Sequence, residues 1–156
     1  PGTLALDGDA SVARTVTDGD DGATTKTSEL TSTALTAATT FHGRAAQFDL
    51  ADVDLTRIVD QVDGVTTDSS LAGQLTLSGS ADGFDFAGVQ VATDGATTYD
   101  ANGNPVAGAW TAVHGNTTIY VALASGIVTV KLDRGSDGTI DRTWTFALQH
   151  LLDEEG

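Results

Sequence analysis

The sequence has 156 residues, of which 40% are hydrophobic and 6% aromatic, enough for one domain with a mainly aliphatic core. Its 22 acidic residues outnumber its 7 Lys and Arg residues, and the net charge of −15 excludes binding to nucleic acid and to anionic lipid. The lack of cysteine excludes disulfides and thiolate metal sites, and no apolar run is long enough to span a membrane.

The composition favours strands and turns over helices. Asp, Gly and Thr are abundant, and Asp and Gly favour turns whereas Thr favours strands. Glu and Lys, which favour helices, are scarce, and Met is absent. These frequencies predict an all-β fold with Asp-Gly turns. An Asp-rich surface is also typical of a protein from a saline habitat, and the sequence does not separate the two interpretations.

Residues 1–22 are predicted to form an extended N-terminal arm or the first strands, and residues 23–156 the main domain. Apolar residues alternate along this segment, as in a strand. Polar, Gly- and Asp-rich ends are usually disordered unless something holds them. We therefore expect the segment to add to the sheet of a neighbouring copy. Its predicted contact residues are Leu4, Leu6, Val12 and Val16.

Two segments of the next part of the chain differ in their periodicity. Residues 28–41 are ambiguous, since Ser28-Glu29-Leu30 could open a helix. The β-branched Thr residues that follow lower helix propensity and favour a strand. Residues 54–62 have the strongest helical period of the chain and are followed by Gly64, which predicts a short helix that closes one end of a sheet pair. The periodic residues are Leu55, Ile58, Val59 and Val62.

From residue 71 onward, apolar and polar residues alternate between short turns. Short links join the last four predicted strands, which favours an antiparallel meander. The simplest architecture is an antiparallel β-sandwich with one short helix and an extended N-terminal arm. These four strands are marked by Trp110 and Ala112, by Ile119, Val121 and Leu123, by Val128, Val130 and Leu132, and by Ile140, Trp144 and Phe146.

Residues 133–141 have much of the spacing of a calcium-binding loop. Acids occupy positions 1, 5 and 9 and Gly occupies position 6, so that alternate oxygens can converge on one cation. Position 3 is Gly135 and position 12 is Trp144, so an EF-hand is not expected, and a plain hairpin loop is the alternative. A second acidic cluster precedes Gly22. The predicted Ca²⁺ ligands are Asp133, Asp137, Asp141, Asp18 and Asp20.

The sequence contains no signature of catalysis. The Gly-x-Ser-x-Gly, Gly-x-Gly-x-x-Gly and Walker patterns are absent. His42, His114 and His150 lie far apart and do not have the spacing of zinc ligands. We therefore do not expect an enzyme, and catalytic residues are not assigned. Four aromatic residues could form a platform for a sugar, although the phase of the two tryptophans favours the core. They are Tyr99, Trp110, Tyr120 and Trp144.

The stretch 110–146 resembles the C-terminal β modules of bacterial secreted and cell-surface proteins. The resemblance depends on the segment His114-Gly115-Asn116-Thr117-Thr118, on the alternating strand 127–132, and on the loop 133–141 followed by Thr143-Trp144-Thr145-Phe146. It covers about a quarter of the chain. It implies an exported bacterial protein and carries no activity. The first residue, Pro1 rather than Met, indicates a chain from which an export signal was removed, and an expression scar is the alternative.

These observations favour an extracellular structural protein that self-associates, as the subunit of a filament or surface layer assembled by β-strand addition. The expected partner is a second copy of the chain, with Ca²⁺ offsetting the repulsion between acidic subunits. The alternative is a monomeric secreted module that binds a glycan or a surface partner. That alternative requires an exposed aromatic patch.

Overall fold

The computed structural model describes residues 3–41, 44–81 and 84–149, most of which lie in ten strands. The first five are β1 (Thr3–Asp18), β2 (Ala23–Phe41), β3 (Arg44–Val62), β4 (Val65–Ala81) and β5 (Phe84–Thr93). The last five are β6 (Thr97–Tyr99), β7 (Pro105–His114), β8 (Thr117–Ala124), β9 (Ile127–Arg134) and β10 (Arg142–Ala147).

The predicted all-β fold is confirmed, but in a simpler arrangement than a sandwich. All ten strands are hydrogen-bonded into one antiparallel sheet in the order β1-β2-β3-β4-β5-β7-β8-β9-β10, with β6 paired to β4 and β7. The described residues therefore form a single sheet, and two packed sheets are not observed. Within the same residues, no helix is long and apolar enough to cross a membrane.

The prediction of a short helix over 54–62 is wrong, because these residues form the second half of β3. β3 is hydrogen-bonded to β2 on one side and to β4 on the other. Its residues Ile58, Val59 and Val62 are β-branched and favour extended backbone. The helical spacing arises because this strand carries apolar residues on both faces, with Leu55 and Val59 on one face and Ile58 and Val62 on the other.

The two faces of the sheet differ in chemistry. Residues directly opposite each other on neighbouring strands share a face, so the strand register assigns each side chain to one side. We call one side the apolar face; it includes Leu6, Val12, Leu30, Leu55, Leu77, Val91, Ile119, Val130 and Trp144. We call the other side the acidic face; it includes Asp7, Asp9, Glu29, Asp49, Asp54, Asp60, Asp68, Asp85 and Asp133.

Two adjacent bulges keep the apolar face continuous. Leu30 and Leu35 in β2, like Leu50 and Leu55 in β3, are five residues apart, and strict alternation would place them on opposite faces. The register shifts between β1 and β2 and between β3 and β4, so β2 and β3 each carry one extra residue there. Asp52, at the β3 bulge, has φ 51°. All four leucines therefore lie on the apolar face.

The buried core of the described residues is small. Only three apolar side chains are buried in this part of the chain: Val53 at the β3 bulge, and Leu123 and Val128, which lie opposite each other on β8 and β9. Trp110 extends over Gly108 on the same face, since a Cβ added at Gly108 would lie 3.0 Å from the Cη2 atom of Trp110. Most of the apolar face is therefore only partly covered by the chain itself.

Candidate functional site

β1 is an open edge of the sheet. In the described residues it pairs with β2 alone, and every side chain from residue 5 to 18 is exposed. Leu6, Val12 and Val16 are 61%, 69% and 52% exposed, and all three lie on the apolar face. Leu4 also belongs to β1, but its side chain is outside the described part of the chain. Three of the predicted contact residues therefore lie together along one accessible strand.

The sequence of β1 leaves this edge suited to pairing. Edge strands are commonly protected by short length, by Pro or Lys, or by bulges. β1 has 16 residues, contains neither Pro nor Lys, and is regular where β2 carries the bulge. Asp7 and Asp9 lie on its acidic face and Arg14 on its apolar face. The outward backbone groups of β1 therefore form a long row that another strand could pair with.

The predicted calcium loop connects β9 and β10, and its carboxylates accept backbone N–H groups. Asp133 is buried, and its Oδ2 accepts the N–H of Gly138 at 3.0 Å. Asp137 Oδ1 accepts the N–H of Thr139 at 2.8 Å, and Asp141 Oδ2 accepts the N–H of Arg134 at 2.6 Å. The hydrogen bonds from Thr139 hold the pKa of Asp137 below its usual value of 3.8. These contacts stabilise the loop as an ordered turn.

The structure does not bring the loop carboxylates together. In the ranges it covers, no three His, Cys, Asp or Glu side chains are grouped so that they could hold a metal ion. One feature of the loop still favours a cation or a water molecule, because Oδ1 of Asp133 is buried and has no hydrogen-bond partner among the described residues. Calcium binding by Asp133, Asp137 and Asp141 stays a prediction.

Asp18 and Asp20 lie at the turn between β1 and β2. Asp18 accepts a 3.4 Å hydrogen bond from the hydroxyl of Thr24, and the carbonyl of Asp20 accepts the N–H of Ala23 at 3.2 Å. The N–H of Asp63, in the turn between β3 and β4, donates to the carbonyl of Gly22 at 3.1 Å. Two acidic turns thus lie side by side at one end of the sheet, and calcium there also stays a prediction.

The cations of the strands lie mainly on the apolar face. Arg14, Lys26 and Arg57 occupy neighbouring positions of β1, β2 and β3, and Lys26 donates to the side-chain oxygen of Gln61. Arg134 and Arg142 lie on the same face at the far side of the sheet, whereas Lys131 is on the acidic face. Among the strand acids assigned to a face by the register, Asp18 is the exception that lies on the apolar face.

The aromatic residues do not form one platform. Trp110 and Trp144 lie on the apolar face, in line with Val121 and Val130 between them. Trp144 is exposed, so the prediction that it belongs to the core is wrong. Tyr120 lies on the acidic face and is partly exposed. His114 is exposed at the end of β7, and His42 and His150 lie outside the described residues.

Sequence reasoning missed the contrast between the two faces. The signal was present in the five-residue spacing of the leucines in β2 and β3, which requires a bulge in a strand. The assignment of residues 54–62 to a helix also hid this contrast, because it did not place Arg57 on a face of the sheet. No family of known proteins, no curated protein and no solved structure matches this chain.

Proposed function

We propose that this chain is an extracellular structural protein that self-associates by β-strand addition at the β1 edge, as the subunit of a filament or surface layer. The observation that supports this most strongly is the 16-residue β1 edge, whose described side chains are exposed on both faces. A second strand would satisfy the outward N–H and C=O groups of β1 and cover Leu6, Val12 and Val16 in part.

The sequence of β1 favours one antiparallel register with β1 of a second copy. This pairing alone closes at a dimer, so a filament or layer requires a further contact between dimers. A two-fold axis through Ser11, perpendicular to the sheet, keeps the apolar faces of both copies on the same side and pairs nearly the whole strand. Leu6 then lies opposite Val16 of the second copy, which is a favourable apolar cross-strand pair. Asp7 lies opposite Thr15, and Asp9 opposite Ala13, so no acid faces an acid across the pair.

A cysteine at the two-fold position tests this pairing. The natural chain has no cysteine, so a Ser11→Cys variant carries a single thiol. In the proposed register the two Cα atoms at position 11 are about 4.5 to 5.5 Å apart, within the range for a disulfide. We expect mild oxidation to convert most of the Ser11→Cys protein into a covalent dimer, measured by non-reducing electrophoresis and light scattering.

Ala13→Cys is the matched control, because residue 13 is exposed on the same face of the same strand. In the proposed register, two thiols at position 13 are separated by four residues, about 13 Å along the strand, too far for a disulfide. Equal cross-linking of both variants would contradict the register. A monomeric mass at all concentrations, with neither variant cross-linked, would contradict self-association and favour the secreted binding module instead.

A further inference from the structure

We propose that the apolar face is a second self-association surface, and that two copies pack these faces together to form a two-layered β-sandwich. The proposal rests on the proposed self-association but assigns it a surface distinct from the β1 edge. We infer that a second copy of the chain covers this face for three reasons: the exposed surface area, the distribution of charge, and the cost of stacking an apolar face on an acidic face.

The first reason is the amount of surface that the single chain exposes. Its accessible surface is 10022 Å², whereas a compact monomer of 15.9 kDa exposes about 7,400 Å². The excess of about 2,600 Å² per chain amounts to about 5,200 Å² for two copies, which is at the upper end of the total area that obligate homodimers bury between their subunits. The single sheet leaves both of its faces without a second layer, and a sheet needs packing on at least one face for stability.

Exposed apolar side chains on this face extend from one edge of the sheet to the other. Val12 lies on β1, Ile119 on β8 and Trp144 on β10, and all three are exposed. In contrast, the buried apolar side chains of the described residues are limited to Val53, Leu123 and Val128. A second sheet about 10 Å away would cover the whole row at once.

The second reason is the distribution of charge. Two molecules of net charge −15 repel each other, and the repulsion is least where neither surface carries acids. The strand acids lie almost entirely on the acidic face, which points outward when the apolar faces meet. The apolar face carries Arg14, Lys26, Arg57, Arg134 and Arg142, whose long side chains can extend to the edge of an interface.

The third reason is that the other way of stacking two copies is unfavourable. Stacking the apolar face of one copy on the acidic face of another would place carboxylates such as Asp49 and Asp54 against leucines. Burying an unpaired carboxylate against apolar groups is strongly unfavourable, because the charge loses its hydration and gains no partner. Packing like faces together avoids this cost and leaves both acidic faces in water.

Two neighbouring residues of β8 provide the test. Ile119 is 37% exposed on the apolar face, and Tyr120 is 38% exposed on the acidic face. We expect Ile119→Asp to raise the dissociation constant of the assembly at least about 100-fold, because the new carboxylate would be buried at the contact. We expect Tyr120→Asp to change it by less than about 3-fold. Both constants are measured by light scattering over a dilution series.

Tryptophan fluorescence gives a second readout, because both tryptophans lie on the apolar face. Emission should shift to longer wavelength on dilution of the natural chain, as water reaches this face. Circular dichroism verifies that each variant is folded. If Ile119→Asp fails to fold, the pair Trp144→Asp and Thr145→Asp replaces it, since these neighbours are both exposed and lie on opposite faces of β10.

Ile119→Asp is also made together with Ser11→Cys, which separates the two surfaces. If the double variant loses the contact between apolar faces but still forms the disulfide at position 11, the result supports the proposed sandwich and leaves the β1 edge contact in place. If the contact between apolar faces is lost and no disulfide forms at position 11, the result supports the proposed sandwich and contradicts pairing at the β1 edge. An unchanged dissociation constant in Ile119→Asp, or equal effects of Ile119→Asp and Tyr120→Asp, overturns the proposed sandwich.

Discussion

At the scale of single residues, Asp100 holds together the turn between β6 and β7. Its Oδ1 accepts the N–H groups of Asn102 and Asn104 at 2.9 and 2.8 Å, and its Oδ2 accepts the side-chain amide of Asn104 at 3.1 Å. These hydrogen bonds, chiefly that of the Asn104 side chain, hold the pKa of Asp100 below its usual value of 3.8. Asp100 therefore stabilises the fold above its unfolded pKa, and this contribution is lost as the pH falls through the folded pKa.

We expect Asn104→Ala to raise the pKa of Asp100 toward 3.8, because it removes the largest cause of the lowering. Asn102→Ala is the control, since Asn102 contributes only its backbone N–H, which alanine retains. The measurement is an NMR pH titration of the Asp100 carboxyl carbon in both variants. An equal rise in the pKa of Asp100 in the two variants would contradict the assignment to the Asn104 side chain.

Gly73 is a second residue whose identity is dictated by its surroundings. It lies in β4 opposite Leu55 with φ 143°, and a Cβ at this position would collide with the carbonyl oxygen of Asp54. We expect Gly73→Ala to lower the free energy of unfolding by about 3 kcal/mol through backbone strain and displacement of β3. Gly95→Ala is the control. Gly95 also has a positive φ of 88°, but a Cβ added there would have no atom within 4 Å apart from its chain neighbours. This substitution should lower the free energy of unfolding by only about 1 kcal/mol.

Urea unfolding of both variants, followed by circular dichroism, gives the two free energies. The comparison separates a steric clash from the general cost of alanine at a positive φ. A loss in Gly73→Ala no larger than that in Gly95→Ala would show that β3 can move away from Gly73 without loss of packing.

At the scale of elements, the regular strands could be predicted and the irregular ones could not. The predicted strands marked by Ile119–Leu123 and Val128–Leu132 lie within β8 and β9. Ile140, which was assigned to the fourth strand of the predicted meander, instead precedes β10. In β3, a bulge at Asp52 and apolar residues on both faces removed the simple period of two, and the spacing resembled a helix instead. A bulge depends on the register of neighbouring strands, which a local pattern does not contain.

The predicted calcium loop illustrates a similar limit. Its sequence specifies acids at suitable spacing, but the same carboxylates can accept backbone N–H groups in turns, and in the structure Asp133, Asp137 and Asp141 do so. Sequence spacing does not distinguish between the two uses of an Asp side chain. The strand over residues 3–18 was easier to predict, since alternating apolar residues need only local information, whereas contact of Leu4, Leu6, Val12 and Val16 with a second copy stays a prediction.

At the scale of the whole molecule, the predicted sandwich is not observed, because the described strands form one sheet instead of two. The apolar residues on alternate positions of β5, β7, β8 and β9 require a cover, and a single chain was assumed to supply it. All strands lie in one sheet, so the described chain does not supply that second layer. Hydrophobic alternation identifies strands but does not determine the order in which they pair. That order decides whether a chain forms one sheet or two.

The net charge of −15 should make the proposed assembly sensitive to salt. The Debye length falls from about 30 Å at 0.01 M ionic strength to about 10 Å at 0.1 M, which screens the repulsion between acidic faces. We therefore expect the light-scattering mass to rise with NaCl over this range. Equal effects of CaCl₂ and MgCl₂ at matched ionic strength would show that the loop carboxylates bind only backbone N–H groups. A larger mass in calcium, reversed by chelator and absent in Asp133→Asn, would instead assign a calcium site to the loop.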